Sequence, residues 1–367
     1  MFVQSMTFAG KYLLAVLLVM GSAGLAGAQW AAQSSGTNAR LRGVSAVSSS
    51  VAWASGERGT YARTTDGGRT WQTATVAGAS DMDFRDVDAF DDGTAYLLSI
   101  GEGRKSRIYQ TTDAGAHWSL QYQSNHPAAF FDAMAFWDRT HGIAVSDPVD
   151  GRFLIIRTAD GGRTWTESPA QGMPAALEGE GAFAASGTCI AVLGSRHAWF
   201  GTGGPAGARV FRSTDAGRTW KVSKVPLASG KTAGVFSITF WDAKHGVAVG
   251  GDYAKEREAT DNIAVTADGG VTWSRIEGTP PQGFRSCVAY VPGARSLLLV
   301  AVGPSGSDYS RDGGRSWTSI AGEGFHSVSF AGRAGAGWAV GEGGRIARSS
   351  LQSFGSDQRP SRSRPGE

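Results

Sequence analysis

TADGGRTW, from Thr158 to Trp165, is one of six copies of a single eight-residue phrase, and this recurrence decides the fold. The other copies are TTDGGRTW (Thr64 to Trp71), TTDAGAHW (Thr111 to Trp118), STDAGRTW (Ser213 to Trp220), TADGGVTW (Thr266 to Trp273) and SRDGGRSW (Ser310 to Trp317). Their aspartates, Asp66, Asp113, Asp160, Asp215, Asp268 and Asp312, are 47, 47, 55, 53 and 44 residues apart, the period of a four-stranded propeller blade. The chemistry of the phrase is that of a hairpin staple. The carboxylate accepts from backbone N–H groups of the turn and from flanking hydroxyls, and the glycine two residues on supplies positive φ. The tryptophan then opens the next strand and presents a large apolar ring to a neighbouring blade. The six aspartates are therefore expected to be structural.

The same strand order recurs around each phrase. In the second unit FRDVDAF (Phe84 to Phe90), AYLLS (Ala95 to Ser99), RIYQT (Arg107 to Thr111) and WSLQY (Trp118 to Tyr122) read as four strands by alternation and bounding turn residues. Corresponding first strands are expected from Leu41, Phe130, Phe183, Val235, Phe284 and Phe325, so seven first strands accompany six phrases. The seventh unit stops after AVGEGGRIARSS (Ala339 to Ser350), without a fourth strand. An unassigned Gln29-Trp30-Ala31 precedes the first blade and carries a tryptophan where a fourth strand has one. The expected fold is all-β: a seven-bladed propeller over residues 29–350, closed by an N-terminal strand that completes the last blade and leaves no free sheet edge.

Composition agrees with many short strands and tight turns: 53 Gly and 37 aromatic residues among 367, with 18% charged. Residues 1–28 read as a secretory signal, with Lys11, the apolar run YLLAVLLVM and Ala26-Gly27-Ala28 as the cleavage site. The run is too short to span a bilayer. A periplasmic or secreted protein, with no membrane span after signal removal, follows, and residues 351–367 read as a disordered tail. A formal net charge of +3 without a basic run argues against nucleic acid. Cys189 and Cys287 lack metal or redox spacing and read as two buried free thiols in separate strands, the alternative being a bridge, open to an exported chain if their Cα atoms come within ~7 Å. No metal, no cofactor and a monomer are expected. The glycine runs Gly201-Thr202-Gly203-Gly204 and Gly341-Glu342-Gly343-Gly344 precede strands rather than helices, so they read as turns and not as phosphate loops.

The phrase S/T-x-D-x-G-x-T-W resembles the Asp-box, or bacterial neuraminidase repeat. With seven units and blades that open as LRGVSAV followed by VAWASG, the chain is similar to the photosystem II stability and assembly factor family and its relatives in non-photosynthetic bacteria. Sialidases and sortilin-type receptors share the box more distantly. The resemblance implies a non-catalytic propeller that holds a segment of a client protein during assembly of a membrane complex, with an arginine patch as the contact. Shared fold does not by itself transfer function. The alternative is a sialidase-like glycoside hydrolase or a glycan-binding protein. Sialidases need three arginines, a tyrosine nucleophile backed by glutamate and an aspartic acid. Their arginine phrase is missing here, and Tyr253 with Glu256 and Glu258 is the nearest imitation of the nucleophile pair.

Propeller ligands bind at the face opposite the Asp turns. There the starts of first strands carry Arg42, Arg85, Arg285 and His326, with Asp86 and Asp132 nearby, and the loops after second strands carry Glu57, Glu102, Asp147, Asp252 and Glu342. Two readings stay open. Either these groups form a funnel for a protein client or glycan at the channel mouth, or they pair within blades, Arg42 with Glu57, Arg85 with Glu102 and His326 with Glu342.

Overall fold

The computed structural model describes residues 30–294, 297–332 and 335–349. The signal segment and the tail read from the sequence lie outside the described residues. Seven antiparallel sheets follow one another along the chain. Their innermost strands are Leu41–Ala46, Asp83–Ala89, Phe131–Phe136, Ile190–Leu193, Ala233–Phe240, Cys287–Tyr290 and Ser327–Phe330. Each packs beside the next, and the seventh returns to the first, so the sheets form a closed ring of seven blades. Blade two is built from Asp83–Ala89, Ala95–Ile100, Arg107–Thr111 and Ser119–Gln123, within a residue or so of the strands read from alternation. Blade five has three strands, and Val265 makes only a single bridge to Ser274 where a fourth would lie.

Ala31–Gln33 is the outermost strand of the sheet that holds the three C-terminal strands, with Ala31 opposite Arg348 and Gln33 opposite Ile346. Gln33 also reaches into the seam with blade one. Its Oε1 accepts from the indoles of Trp71 (3.1 Å) and Trp338 (3.2 Å), and its Nε2 donates to the Gly67 carbonyl.

The core is distributed over the seven seams between blades, and one tryptophan from each repeat position enters each seam. Trp71, Trp118, Trp165, Trp220, Trp273 and Trp317 belong to six of these clusters, and Trp30 enters the seventh, beside Phe325 at 5.4 Å between ring centroids. Trp118, for instance, stands edge-on to Trp53 and Tyr61 of blade one. A ring wedged between two sheets buries apolar surface from both, which makes the blades mutually dependent.

Nearer the axis the seams are sewn by hydrogen bonds. The Ser45 hydroxyl accepts from Ala89 N–H, Asp86 and Asp88 from Met134 and Phe136 N–H, Ser237 from Val288 N–H, and Ser329 from Ala46 N–H. Each side chain on one inner strand satisfies a backbone donor of the next blade, which a buried channel wall requires. Cys189 and Cys287 are both buried free thiols, and Cys287 Sγ accepts from Val328 N–H in the same manner.

The six Asp turns share one set of bonds. In blade four Asp215 accepts from the Ser213 hydroxyl, the N–H groups of Arg218 and Thr219, and the Thr219 hydroxyl at 2.6 Å. Where His117 replaces that threonine, its ring Nδ1 lies 2.7 Å from Asp113 and keeps the contact. Backbone donation from Thr70, His117 and Thr164 comes first among the causes that pull Asp66, Asp113 and Asp160 down to about 2. The stabilisation from these turns is therefore complete above the ordinary carboxylate pKa and is lost only as pH falls towards 2. Asp215→Ala leaves several turn donors without an acceptor, so chemical denaturation should show a loss of about 1–3 kcal/mol. An unchanged midpoint would mean that water replaces the carboxylate without cost.

Blade four departs from the sequence reading. The first strand expected from Phe183 begins at Ile190, and the preceding residues 181–188 fold into the channel mouth as a plug. The Ala182 N–H donates to Asp147 Oδ1 of blade three (2.8 Å), and the Ala184 carbonyl accepts from Arg85 of blade two (2.9 Å). Ser186 donates to the Ser286 carbonyl of blade six and accepts from Ser327 of blade seven. Small residues make this crossing possible. Gly187, at φ +74°, lies so close to Asp86 that a Cβ would sit 2.2 Å from the carboxylate oxygen.

Candidate functional site at the plugged channel mouth

Above the plug lies a cleft of about 450 Å³. One wall is polar, with Arg42 from blade one, Arg85 from blade two and His326 and Glu342 from blade seven. The other is aromatic, with Phe183 of the plug, Phe236 and Tyr253 of blade five and Phe284 of blade six. Ala184 and Ala185 line it from the plug. The strand-start position therefore brings Arg42, Arg85 and His326 together, and the loop carrying Glu342 joins them.

Arg42 differs from every other arginine considered for the site. It is partly buried, and among the described residues its Nε finds no hydrogen-bond partner. Burial first, then the neighbouring charges of Arg85 and Arg40, pushes its pKa down to about 9, against partial compensation from Asp83 and Glu342. It stays cationic at neutral pH. Arg85 is anchored on Asp83 at 2.9 Å and on the plug carbonyl of Ala184. His326 is held neutral: burial and then Arg42 push its pKa down to about 4, while its Nε2 faces Glu342 at 3.0 Å. A neutral ring bonded to a carboxylate donates that proton, so Nδ1 is left as the acceptor.

The ion pairs expected within blades form with other partners. Glu57 lies beside Arg40 and Arg58 rather than Arg42, and Arg85 takes Asp83 rather than Glu102; only His326 with Glu342 is as written in the sequence. That substitution of partners is what leaves Arg42 free to face the cleft.

The remaining candidates lie elsewhere. Arg285 is 1% exposed, bonded to Asp308 through Nε (2.7 Å) and Nη2 (2.6 Å), and donates to the Phe284 carbonyl. Its charge is spent inside blade six, where it positions the aromatic wall. Asp252 accepts from Ala254 N–H and starts the short 3-10 turn Tyr253–Lys255, so it orients Tyr253. Asp86 serves the seam to blade three, and Asp147 holds the plug. Asp132 is buried with Oδ2 unpartnered among the described residues. It occupies in FFDAMAF the place of Asp86 in FRDVDAF, but here the plug lies where the next blade's strand would supply a donor.

Burial raises the pKa of Asp86, of Asp132 and, to about 6, of Asp147. Asp147 raises Asp132 further, and Arg85 opposes this. Burial thus disfavours negative charge at Asp86 and Asp132 beneath the cleft, while Asp147, at about 6, stays largely ionised at neutral pH. A carboxylate with a raised folded pKa contributes stability fully below its unfolded pKa of ~4, and loses it as pH rises. Asp132→Asn is neutral at every pH. It should raise the melting temperature at pH 7.5 and leave it unchanged at pH 4. An equal gain at both pH values would place the effect in packing instead.

The plug, Phe236 and Phe284 were not legible as site residues. The only signal was negative: AFAASG (Ala182 to Gly187) breaks strand alternation, in the repeat with the longest spacing, 55 residues.

No protein-family model and no curated protein matches the chain. Among solved structures it is similar to YCF48 bound to D1 peptide, at TM-score 0.62 and 18% identity, covering 88% of this chain and 97% of that one. YCF48 from Cyanidioschyzon merolae aligns at TM-score 0.61 and 17% identity over 88% and 99%. The WD40 β-propeller domain of Doa1 aligns at 0.57 and 13% over 87% and 96%. At these identities the likeness is one of fold, a seven-bladed β-propeller, and the site must be argued from its own residues.

Proposed function

We propose that this chain is an exported Asp-box propeller of the photosystem II assembly-factor type. It binds an acidic segment of a protein client at the channel mouth, aiding assembly of an envelope complex without turnover. The observation that carries this reading is Arg42: a cation held partly buried at the cleft wall, with no ion pair among the described residues, beside an anchored Arg85. Such a group is costly to keep in the free protein and is relieved by an incoming carboxylate. The plug supports the same reading, since it turns a channel into a closed-ended cleft against which a segment can seat. The YCF48 structure of similar fold carries a D1 peptide, which makes peptide capture a natural use of the architecture.

The hydrolase alternative keeps one observation, that Tyr253 and Glu256 both line the cleft. It requires turnover of fluorogenic glycosides that disappears in Tyr253→Phe. The client reading is tested by titrating the protein with fluorescent peptides that differ only in Asp against Asn, at ~50 and ~200 mM salt. The acidic peptide should bind more tightly, and added salt should reduce that advantage. Equal affinity for both peptides would overturn it.

A further inference from the structure

We infer that the cleft recognises two adjacent features of its client, a carboxylate at Arg42 and an aromatic side chain seated on the wall made by Phe183, Phe236 and Tyr253. This rests on the client reading above and names the chemistry of the segment.

The aromatic wall is built around Phe236. Phe183 stacks on it at 3.8 Å between centroids and 16° between planes, Phe284 meets it edge-on at 4.6 Å, and Tyr253 stands edge-on at 6.0 Å. Two residues already described hold this wall in place: Arg285 through the Phe284 carbonyl, and Asp252 through the turn that carries Tyr253. Yet the wall is not closed. Tyr253 is 48% exposed and Phe183 is only partly buried, so ring surface faces the same cleft as the guanidinium of Arg42.

Charge complementarity fixes the occupant. A purely apolar ligand would cover Arg42 and leave its charge unpaired, which is costly. A purely acidic one would leave the aromatic wall wet. A segment with an acidic residue next to an aromatic one satisfies both walls, since offset or edge-on packing against Phe183 and Tyr253 adds to what burial alone contributes. At about 450 Å³ the cleft lies at the small end of ligand sites, whereas a helix with its side chains is about 10–12 Å across. The client therefore enters through one or two side chains of an extended stretch, an anchor of the kind that concentrates binding energy at interface centres.

Selection from a display library of random eight-residue segments tests this on the immobilised protein, with Tyr253→Ala and Arg42→Ala as parallel baits. Phe, Tyr or Trp adjacent to Asp or Glu should be enriched on the wild-type protein. The aromatic preference should fade on Tyr253→Ala, and the acidic preference on Arg42→Ala. For one selected peptide, aromatic→Ala should cost ~10-fold in affinity on wild type and less than ~3-fold on Tyr253→Ala, a coupling that a merely structural role for Tyr253 would not produce. The exposure of Tyr253 makes its variant safe for the fold, and a melting curve checks this. Acidic segments enriched without aromatics would overturn the inference and leave the client reading standing. No acidic enrichment would overturn the client reading itself.

Discussion

Deleting residues 30–35 should lower the melting temperature by more than ~10 °C and make the protein prone to association. Three interactions go at once. The outermost strand of the last sheet is lost, Trp30 leaves the seam where it meets Phe325, and the indoles of Trp71 and Trp338 lose the carbonyl of Gln33. Removing a large aromatic from a packed site costs ~3–5 kcal/mol by itself, and 1 kcal/mol corresponds to roughly 2–4 °C in a domain somewhat smaller than this one. Ile346–Ser349 would become an open edge on which another chain can pair. Trp30→Ala should give a smaller drop, and Gln33→Ala a smaller one still. A deletion that melts within ~2 °C of the intact chain would show that the N-terminal strand is decoration.

Arg42→Met should move stability and binding in opposite directions. The guanidinium is partly buried with an unpartnered Nε, so an apolar side chain of similar length should hold or raise the melting temperature. Affinity for an acidic client peptide should fall about 10–100-fold, the loss of one charge-assisted contact in a desolvated site. Arg85→Met provides the contrast. Arg85 anchors the plug through Ala184 and pairs with Asp83, so its loss should weaken both stability and binding. An Arg42→Met protein that loses stability, or binds as before, would return Arg42 to the scaffold.

The repeat was legible because its chemistry is local: an aspartate, a glycine and a tryptophan within eight residues specify turn and seam without distant partners. Strand positions followed, because alternation reports which face is buried. The convergence of Arg42, Arg85, His326 and Glu342 was legible for a related reason, since equivalent positions on successive blades must circle one mouth. What the sequence hid was pairing at a distance. Arg85 and Arg285 hold the same strand position, yet Arg285 is drawn inward by Asp308, more than twenty residues on, and no local pattern announces that ion pair. The plug was hidden because its residues resemble a strand start in composition while lacking its period, and its contacts reach blades two, three, six and seven.

Amide hydrogen exchange, measured with and without a saturating acidic-aromatic peptide, tests the central claim that clients are held over the plug. Protection should increase in Tyr253–Lys255, in Glu342–Gly344 and across residues 181–188, while the Asp-turn face, represented by residues 66–70 and 215–219, exchanges as before. Protection gathered on the Asp turns or along the outer strands, with the plug and its neighbouring loops unchanged, would contradict it and move the binding surface to the other side of the ring.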